Sequence, residues 1–540
     1  MAELKQFTQE DIVNTHGDMF KYRDLYDGFH SKLFDRAKAQ IESGEIIDRI
    51  EYGDVKAQNV QTPYIVVNIS RMIVDIPTLF ITRSLGKMQT NYPINEMERE
   101  DDFETDEEHI EGASNNVFED NLFDLQQETL DQIETNSNFS KWHGMNIKQW
   151  QIDGGIVAVP EFINGQIKLT FKERNVYYEL DDGKTYQLRY IVERGEEKFI
   201  HVHEEIEGEN ELIGSHTVYK TNEDGELSEV EDEELIFEIT KLKREERNYI
   251  LKGRKRTLFV YLPYNPTFMN EYGRSVLMGQ EGKQDEVNWT VTRSAQVFER
   301  NGKPRISVSK EVMDRLMQVS MDKYGVDNKF DHRDLEVTTI DDDGRSLEIH
   351  QIDIAKIGDI TYVKDIIKMM LMETQTSEKA IDFFTGEGGR AQSGTAKFYD
   401  LFLSIMKSEQ MRKQYVEFIQ QGVENCMWLL NQDNKDIIVE KPIIVQEDMM
   451  PVTSKETSTL NNQSYSAGTQ SLEQTVRNNN PDKSEEWILD EVEKIEGERT
   501  SQDSFTLGRG NMTATNFNDN IDPDETEEKS LEEQLKEEME

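Results

Sequence analysis

The chain has 540 residues, 36% hydrophobic and 31% charged, with a formal net charge of −47 and one cysteine. That length predicts roughly three or four structural units. A charge this negative excludes a protein that holds nucleic acid through its overall field, since the duplex carries about one negative charge per 1.7 Å. The lone Cys426 excludes an intrachain disulfide framework, fits synthesis in a reducing cytosol, and reads as a small buried core residue.

The amino terminus, MAELKQFTQEDIV, lacks a basic region followed by an apolar stretch and does not read as a signal peptide. Residues 8 to 45 carry a helical rhythm, and after Pro63 a second helix is predicted over about 66 to 84. Its apolar run contains Asn68, Arg71, Asp75 and Pro77, so it reads as a buried helix rather than a membrane span. Met97 to Glu111 reads as an acidic linker, and NNVFEDNLFDLQQETLDQIETNSNFS resumes helical periodicity.

From Trp150 the pattern becomes two-fold, in QIKLTFKERNVYYEL, TYQLRYIVE, KFIHVHEEI and LIFEITKLK. Asn164-Gly165, Asp182-Gly183 and Asp224-Gly225 lie beside these runs, and such pairs suit tight hairpin turns. Antiparallel sheet is therefore expected over 155 to 262. Two prolines in YLPYNPTFMNEYGRSVL end it, and a helix of roughly 40 Å is expected from Arg274 to Asn301. A small mixed unit follows over 303 to 355, with a short helix (KEVMDRLMQVSM) and a hairpin turning at Asp343-Gly344. A second long helix, IGDITYVKDIIKMMLMETQTS, comes next.

The stretch IDFFTGEGGRAQSGTAKFYDLF then places Gly386, Gly388, Gly389 and Gly394 before a helix expected over 395 to 430. A Walker-type phosphate loop needs Lys followed by Ser or Thr after its last glycine. Here Arg390 follows Gly389, Thr395 follows Gly394 with no Lys before it, and no strand precedes. The dinucleotide fingerprint fails on the same context. A helix-loop-helix hinge fits better, with Ser393 or Thr395 capping the next helix. Beyond it a strand pair is expected in DIIVEKPIIVQ, then a polar linker, a helical pair around 470 to 498, and an acidic tail of disordered composition.

No catalytic, metal or cofactor constellation emerges. His201 and His203 alternate on one strand, but zinc needs at least three protein ligands, so they read as imidazoles on an exposed sheet face. DDDGRSLE at 341 lacks the ligand spacing of a calcium loop. Basic residues gather at Lys252, Arg254, Lys255 and Arg256, and Lys379 and Arg390 flank the glycine stretch.

The order of parts resembles the portal proteins of tailed bacteriophages. YGRSVLMGQEGKQDEVNWTVTRSAQVFERNGKPRISVS is similar to that family's first stem helix and its proline-marked exit. GGRAQSGTAKF resembles its lead-in to the long helix after the tunnel loop, and TQSLEQTVRNNNPDKSEEWILDEVEKIEGE its closing helix pair. NISRMIVDIPTLFITRSLG is similar to an amino-terminal helix closed by glycine. The resemblance covers about residues 60 to 500.

It implies an α+β, multi-domain portal fold that assembles into a ring-shaped homo-oligomer, usually of twelve copies. Residues 1–262 would supply amino-terminal helices and a β-rich wing, 263–302 the first stem helix, 303–355 the clip, and 356–376 the second stem helix. Residues 377–394 would be the tunnel loop, 395–454 a long helix with strands returning to the wing, 455–500 a helical crown, and 501–540 the acidic tail. Lys379, Gly386, Gly388, Gly389, Arg390, Ser393 and Gly394 would line the DNA channel. The implied partners are double-stranded DNA, the large terminase subunit, a neck adaptor, and the major capsid and scaffolding proteins, at the portal vertex of a virion assembled in the host cytoplasm, with no cofactor and no membrane. Another head or neck structural protein, such as an adaptor or minor capsid protein, is the alternative; a DNA-processing enzyme is a more distant one.

Overall fold

The computed structural model describes residues 6–48, 62–91, 110–301 apart from four turn positions, 360–380, 394–450 and most of 454–497. Between 305 and 350 it describes two strands and a few single positions. It is mixed in α and β and divides into two compact units, residues 1–450 and 451–540.

The amino-terminal helical rhythm is cut into four pieces: α1 (Gln9–His16), α2 (Phe20–Asp27), α3 (His30–Leu33) and α4 (Asp35–Glu42). The cuts are local. Gly17 and Gly28 take φ of +74° and +91°, which end a helix readily in glycine and poorly in other residues. An extended stretch, 62–68, leads to α5 (Ile69–Arg83), capped by the Asn68 side chain accepting from the Arg71 N–H. Strand β1 (Leu85–Gln89) precedes the long α6 (Ile110–Ser137) and then α7 (Phe139–Asp153).

Two antiparallel sheets follow. β2 (Gly155–Ile163) and β3 (Gln166–Glu173) form a hairpin across residues 164–165, with Gly165 at φ +77°. The larger sheet runs β4 (Tyr177–Glu179), β5 (Thr185–Arg194), β6 (Glu197–Glu207), β7 (Glu211–Thr221) and β8 (Leu227–Glu229) in order. β9 (Asn248–Lys252) also pairs with β7, while β10 (Val260–Pro263) joins β2. Within this region LIFEITKLK is not a strand. Glu233–Thr240 forms α8, because Asp232 accepts from the Glu234 and Leu235 N–H groups and acidic residues fill the first turn.

The helix expected from Arg274 begins only at Glu281, as α9 (Glu281–Asn301). Gly279 at φ +85° stops any earlier start, and Gly273 crosses Gly154 so closely that a Cβ there would lie 2.3 Å from the Gly154 carbonyl oxygen. β11 (Arg305–Val308) pairs antiparallel with β12 (Leu347–His350); the Asp343-Gly344 turn and most of the short helix expected before it lie outside the described residues. Then come α10 (Ile360–Glu373) and the 40-residue α11 (Gly394–Asp433), about 60 Å long. DIIVEKPIIVQ gives one strand, β13 (Ile443–Gln446), whose partner is β1, far upstream. In the second unit the polar stretch after 450 folds into α12 (Ser454–Ser466), followed by α13 (Leu472–Asn479) and a helical turn sequence over 487–497. The acidic linker before 110 and the tail after 500 lie outside the described residues.

One core packs α11 residues Tyr415, Phe418, Ile419, Val423, Cys426 and Met427 against Trp150, Ile156, Leu169 and Leu130. Cys426 is fully buried there, which raises its thiol pKa well above the usual range. A second core joins the amino-terminal helices and α5 to α9 and α10 through Leu25, Ile73, Val287, Ile366 and Met370.

Candidate functional site

The glycine-bearing segment and its frame are the candidate. Helices α9 and α10 lie antiparallel: Gln280 and Lys283, at the start of α9, reach Glu373, at the end of α10, at 2.9 and 2.6 Å. The β11–β12 pair lies between them in the sequence.

A polar stripe fixes α9. Gln284, Asn288 and Thr292, all fully buried, repeat every four residues, a rise of about 6 Å in a helix. They meet alternate residues of the extended stretch 62–68 and the start of α5, which advance about 6.6 Å per two residues. Thr292 Oγ1 accepts from Ile65 N at 3.0 Å, Asn288 Oδ1 from Val67 N at 3.0 Å, and Gln284 Oε1 from Ile69 N and Ser70 N at 3.2 and 3.1 Å. Asn288 Nδ2 donates to His30 Nδ1 at 2.8 Å, leaving His30 Nε2–H to donate to the Leu25 carbonyl at 2.7 Å. Burial without a partner anion lowers the His30 pKa, so that ring is neutral.

At the end of α10, Gln375 turns the chain with φ +53°, and the backbone is fastened to α11. The Ser377 N–H donates to Ser404 Oγ at 2.7 Å, and the Ser404 N–H returns a bond to Ser377 Oγ at 3.2 Å. Lys407 Nζ, buried, donates to the Thr374 carbonyl at 2.8 Å, and desolvation lowers its pKa to about 8. Lys379 follows in the turn Glu378–Ala380 with its side chain exposed, beside a 3.3 Å ion pair between Glu378 and Lys368. Gly394 is the first residue of α11. Gly386, Gly388, Gly389, Arg390 and Ser393 lie outside the described residues. The Ser377–Ser404 clasp and Lys407 escaped sequence reading; the available signal was a lysine on the buried side of an otherwise apolar helical face.

The basic run takes a different place. Arg254 lies over the Trp428 ring and donates to Asn425, fastening the segment after β9 to α11. A cleft of about 590 Å³ opens beside it, where Arg254, Arg256 and Lys441 face Glu179, Glu207 and Glu424. Equal numbers of both signs do not make an anion site.

The histidines are not on an exposed face. His201, His203 and His216 form one cluster half-buried under β9 and Phe259. His201 Nε2 and His216 Nδ1 share a 3.0 Å hydrogen bond. His203 Nε2–H donates to the Tyr249 hydroxyl at 2.7 Å, which donates to Glu205 at 2.8 Å. Glu205 also accepts from Thr257 and the Leu258 N–H. These ring nitrogens are committed to protein partners, and no group of metal-ligating side chains among the described residues is arranged to hold an ion. Nor is any helix among them long and apolar enough to cross a membrane.

No protein-family model and no curated protein matches the chain. Among solved structures, a chain described as the neck of a native GTA particle computed with C12 symmetry is similar over 62% of this chain and 78% of that one, at 9% identity and a TM-score of 0.31. That likeness is too distant to bear on function.

Proposed function

We propose that the chain is a portal protein of a tailed phage or phage-like particle: one subunit of a ring, about twelve-fold, through which double-stranded DNA is driven in by terminase and later leaves towards a neck adaptor. The observation that carries this reading is the order α9, β11–β12, α10, clasp, glycine-rich segment, α11. Two antiparallel helices bracket a small paired-strand unit, and the segment between α10 and α11 starts from a fastened point. Those parts match, in sequence order, the stem, clip, tunnel loop and long helix that the motifs suggest.

The charge supports the same reading. A conduit must hold its cargo loosely, because each neutralised phosphate adds affinity that slows sliding. A chain of net charge −47 supplies a repelling wall, and Lys379 and Arg390, repeated around a ring, would make sparse cationic circles in it. The reading assigns the chain no catalytic step.

Single-particle imaging of the purified protein tests it. Rings with a central opening, about twelve-fold, are expected; a monomer, or a closed assembly without a channel, would overturn it.

A further inference from the structure

The segment after β10 ends in a feature that the fold itself does not use. Its feet are fastened to the core: Tyr264 N–H donates to the Gly154 carbonyl at 2.9 Å, Arg274 N–H to the Tyr264 carbonyl at 2.8 Å, and the Tyr264 ring packs edge-on against Trp150. Its tip is a closed turn in which Thr267 and Asn270 exchange backbone hydrogen bonds at 3.1 and 2.9 Å, braced by Gly273 N–H donating to the Asn270 carbonyl. The two central residues are Phe268 and Met269, exposed by 104% and 93%. Turn chemistry favours Gly, Asn, Asp or Pro at such positions and asks for nothing apolar. A well-braced turn thus holds two large apolar side chains wholly in water.

The same unit carries a surface of matching character elsewhere. Met369 and Met372 on α10, and Leu403 and Met406 on α11, flank the Ser377–Ser404 clasp with exposures between 44% and 73%. Unbranched methionines suit a face that must shape itself around an inserted ring. Exposed Lys364 and Lys413 lie about two turns from Met372 and Met406, and Asp365, Glu373, Glu378 and Glu409 lie on the same stretches, so the face carries both signs. The exposed apolar faces of α5 and α7, by contrast, surround the ion pairs of Asp75 with Arg71 and Lys148.

We infer that Phe268 and Met269 form a plug that inserts into the Met369–Met372–Leu403–Met406 face of a second copy of this chain. The inference rests on the ring reading and names the joint between neighbours. Plug and receptor are different surfaces, so the contact is head-to-tail, the type that closes into rings. Taking about 200 Å² for a fully exposed large side chain, the two surfaces together offer roughly 800 Å² of apolar area, about half of a standard interface. Copies that each carry −47 repel one another, and the apolar contact offsets that repulsion.

The test uses the full chain with two variants, F268D/M269D in the plug and M372D/M406D in the receptor, sized by mass photometry and imaged as single particles. Matching circular dichroism melts establish that each variant folds. Each alone should lose rings at concentrations at least about 100-fold above those at which the wild type assembles. Mixed one to one, they should form heterodimers and nothing larger, since the mixture has one intact plug and one intact receptor per pair. Rings from F268D/M269D overturn the plug while leaving the ring reading intact. Two ring-dead variants that form no heterodimer overturn the pairing of these surfaces. A wild type that stays monomeric at every concentration overturns both readings.

Discussion

Acid should unfold the larger unit through its histidines, well before most carboxylates take up protons. His201 and His216 are held at about 4 and about 3, and His203 lies well below the ordinary histidine value. Burial is the main cause in each; neighbouring imidazoles push the same way for His203 and His216, and Lys172 does so for His201 and His203. The unfolded chain protonates these rings near 6.5 while the folded chain does not, so the unfolded state binds more protons below that pH and stability falls as pH falls. The contribution is fully present above about pH 7 and drains away below it. Each ring that stays neutral forfeits about 1.4 kcal/mol per pH unit below its unfolded value, or about 2 kcal/mol by pH 5. The cluster of three therefore costs about 6 kcal/mol over that interval, comparable with the whole stability of many domains. Urea unfolding followed by circular dichroism at pH 7 and pH 5 measures the slope. In H201Q/H203Q/H216Q it should be shallower by that amount, with a residual slope from His16 and His143, which burial holds at about 3 and about 4. Equal slopes in variant and wild type, or imidazole NMR signals of the cluster that titrate near 6.5 in the folded protein, would refute the reasoning.

Asn288→Leu should destabilise the larger unit by about 2 to 4 kcal/mol, because it strands the part-buried Val67 N–H and the buried His30 Nδ1; a loss under about 0.5 kcal/mol in a thermal melt would contradict the stripe's role. Lys407, held at about 8 against an unfolded value near 10.4, makes the folded state bind fewer protons between those values. Stability should accordingly rise between pH 8 and 10.4, by about 2 to 3 kcal/mol, and K407M should lack that rise. Ser404→Val opens the clasp and should raise amide hydrogen exchange over residues 374–380 at least about tenfold, which corresponds to about 1.4 kcal/mol of local opening; unchanged protection removes the clasp from the account. In the portal reading, K379E/R390E should cut DNA filling of particles while rings still assemble, and normal filling would take these residues out of the channel.

Elements whose geometry is encoded locally were legible in the sequence. The β2–β3 hairpin follows from alternation on either side of Asn164-Gly165, and α11 from a 3–4 apolar rhythm whose Tyr415, Phe418, Ile419, Val423 and Met427 are buried. Misreadings came where a local cap outweighs the alternation or where a distant neighbour decides. LIFEITKLK alternates enough to suggest a strand, but the cap at Asp232 sets it as a helix. The partner of β13 lies more than 350 residues upstream, beyond any local pattern. His216, thirteen residues after His203, completes the histidine cluster only because β6 and β7 place those two residues directly opposite each other. The buried stripe of α9 stayed hidden for a related reason: Gln284, Asn288 and Thr292 look like a solvated face until the chain that covers them is known.

That stripe also bears on how a stem helix would behave in a channel. Apolar contacts alone resist separation better than sliding, since one aliphatic surface is much like the next. Hydrogen bonds to Ile65, Val67 and Ile69 are directional, and the similar steps of about 6 Å on the helix and 6.6 Å on the extended chain let all three form at once. Sliding α9 by about half that step, roughly 3 Å, would break the three bonds together and leave these backbone N–H groups without acceptors. The Lys283–Glu373 pair and the second core then tie α10 to the same register. In the portal reading, DNA driven along the helical pair would push in the direction that apolar packing resists least. Fixing both helices by polar bonds before the glycine-bearing segment begins leaves the frame stiff along that axis.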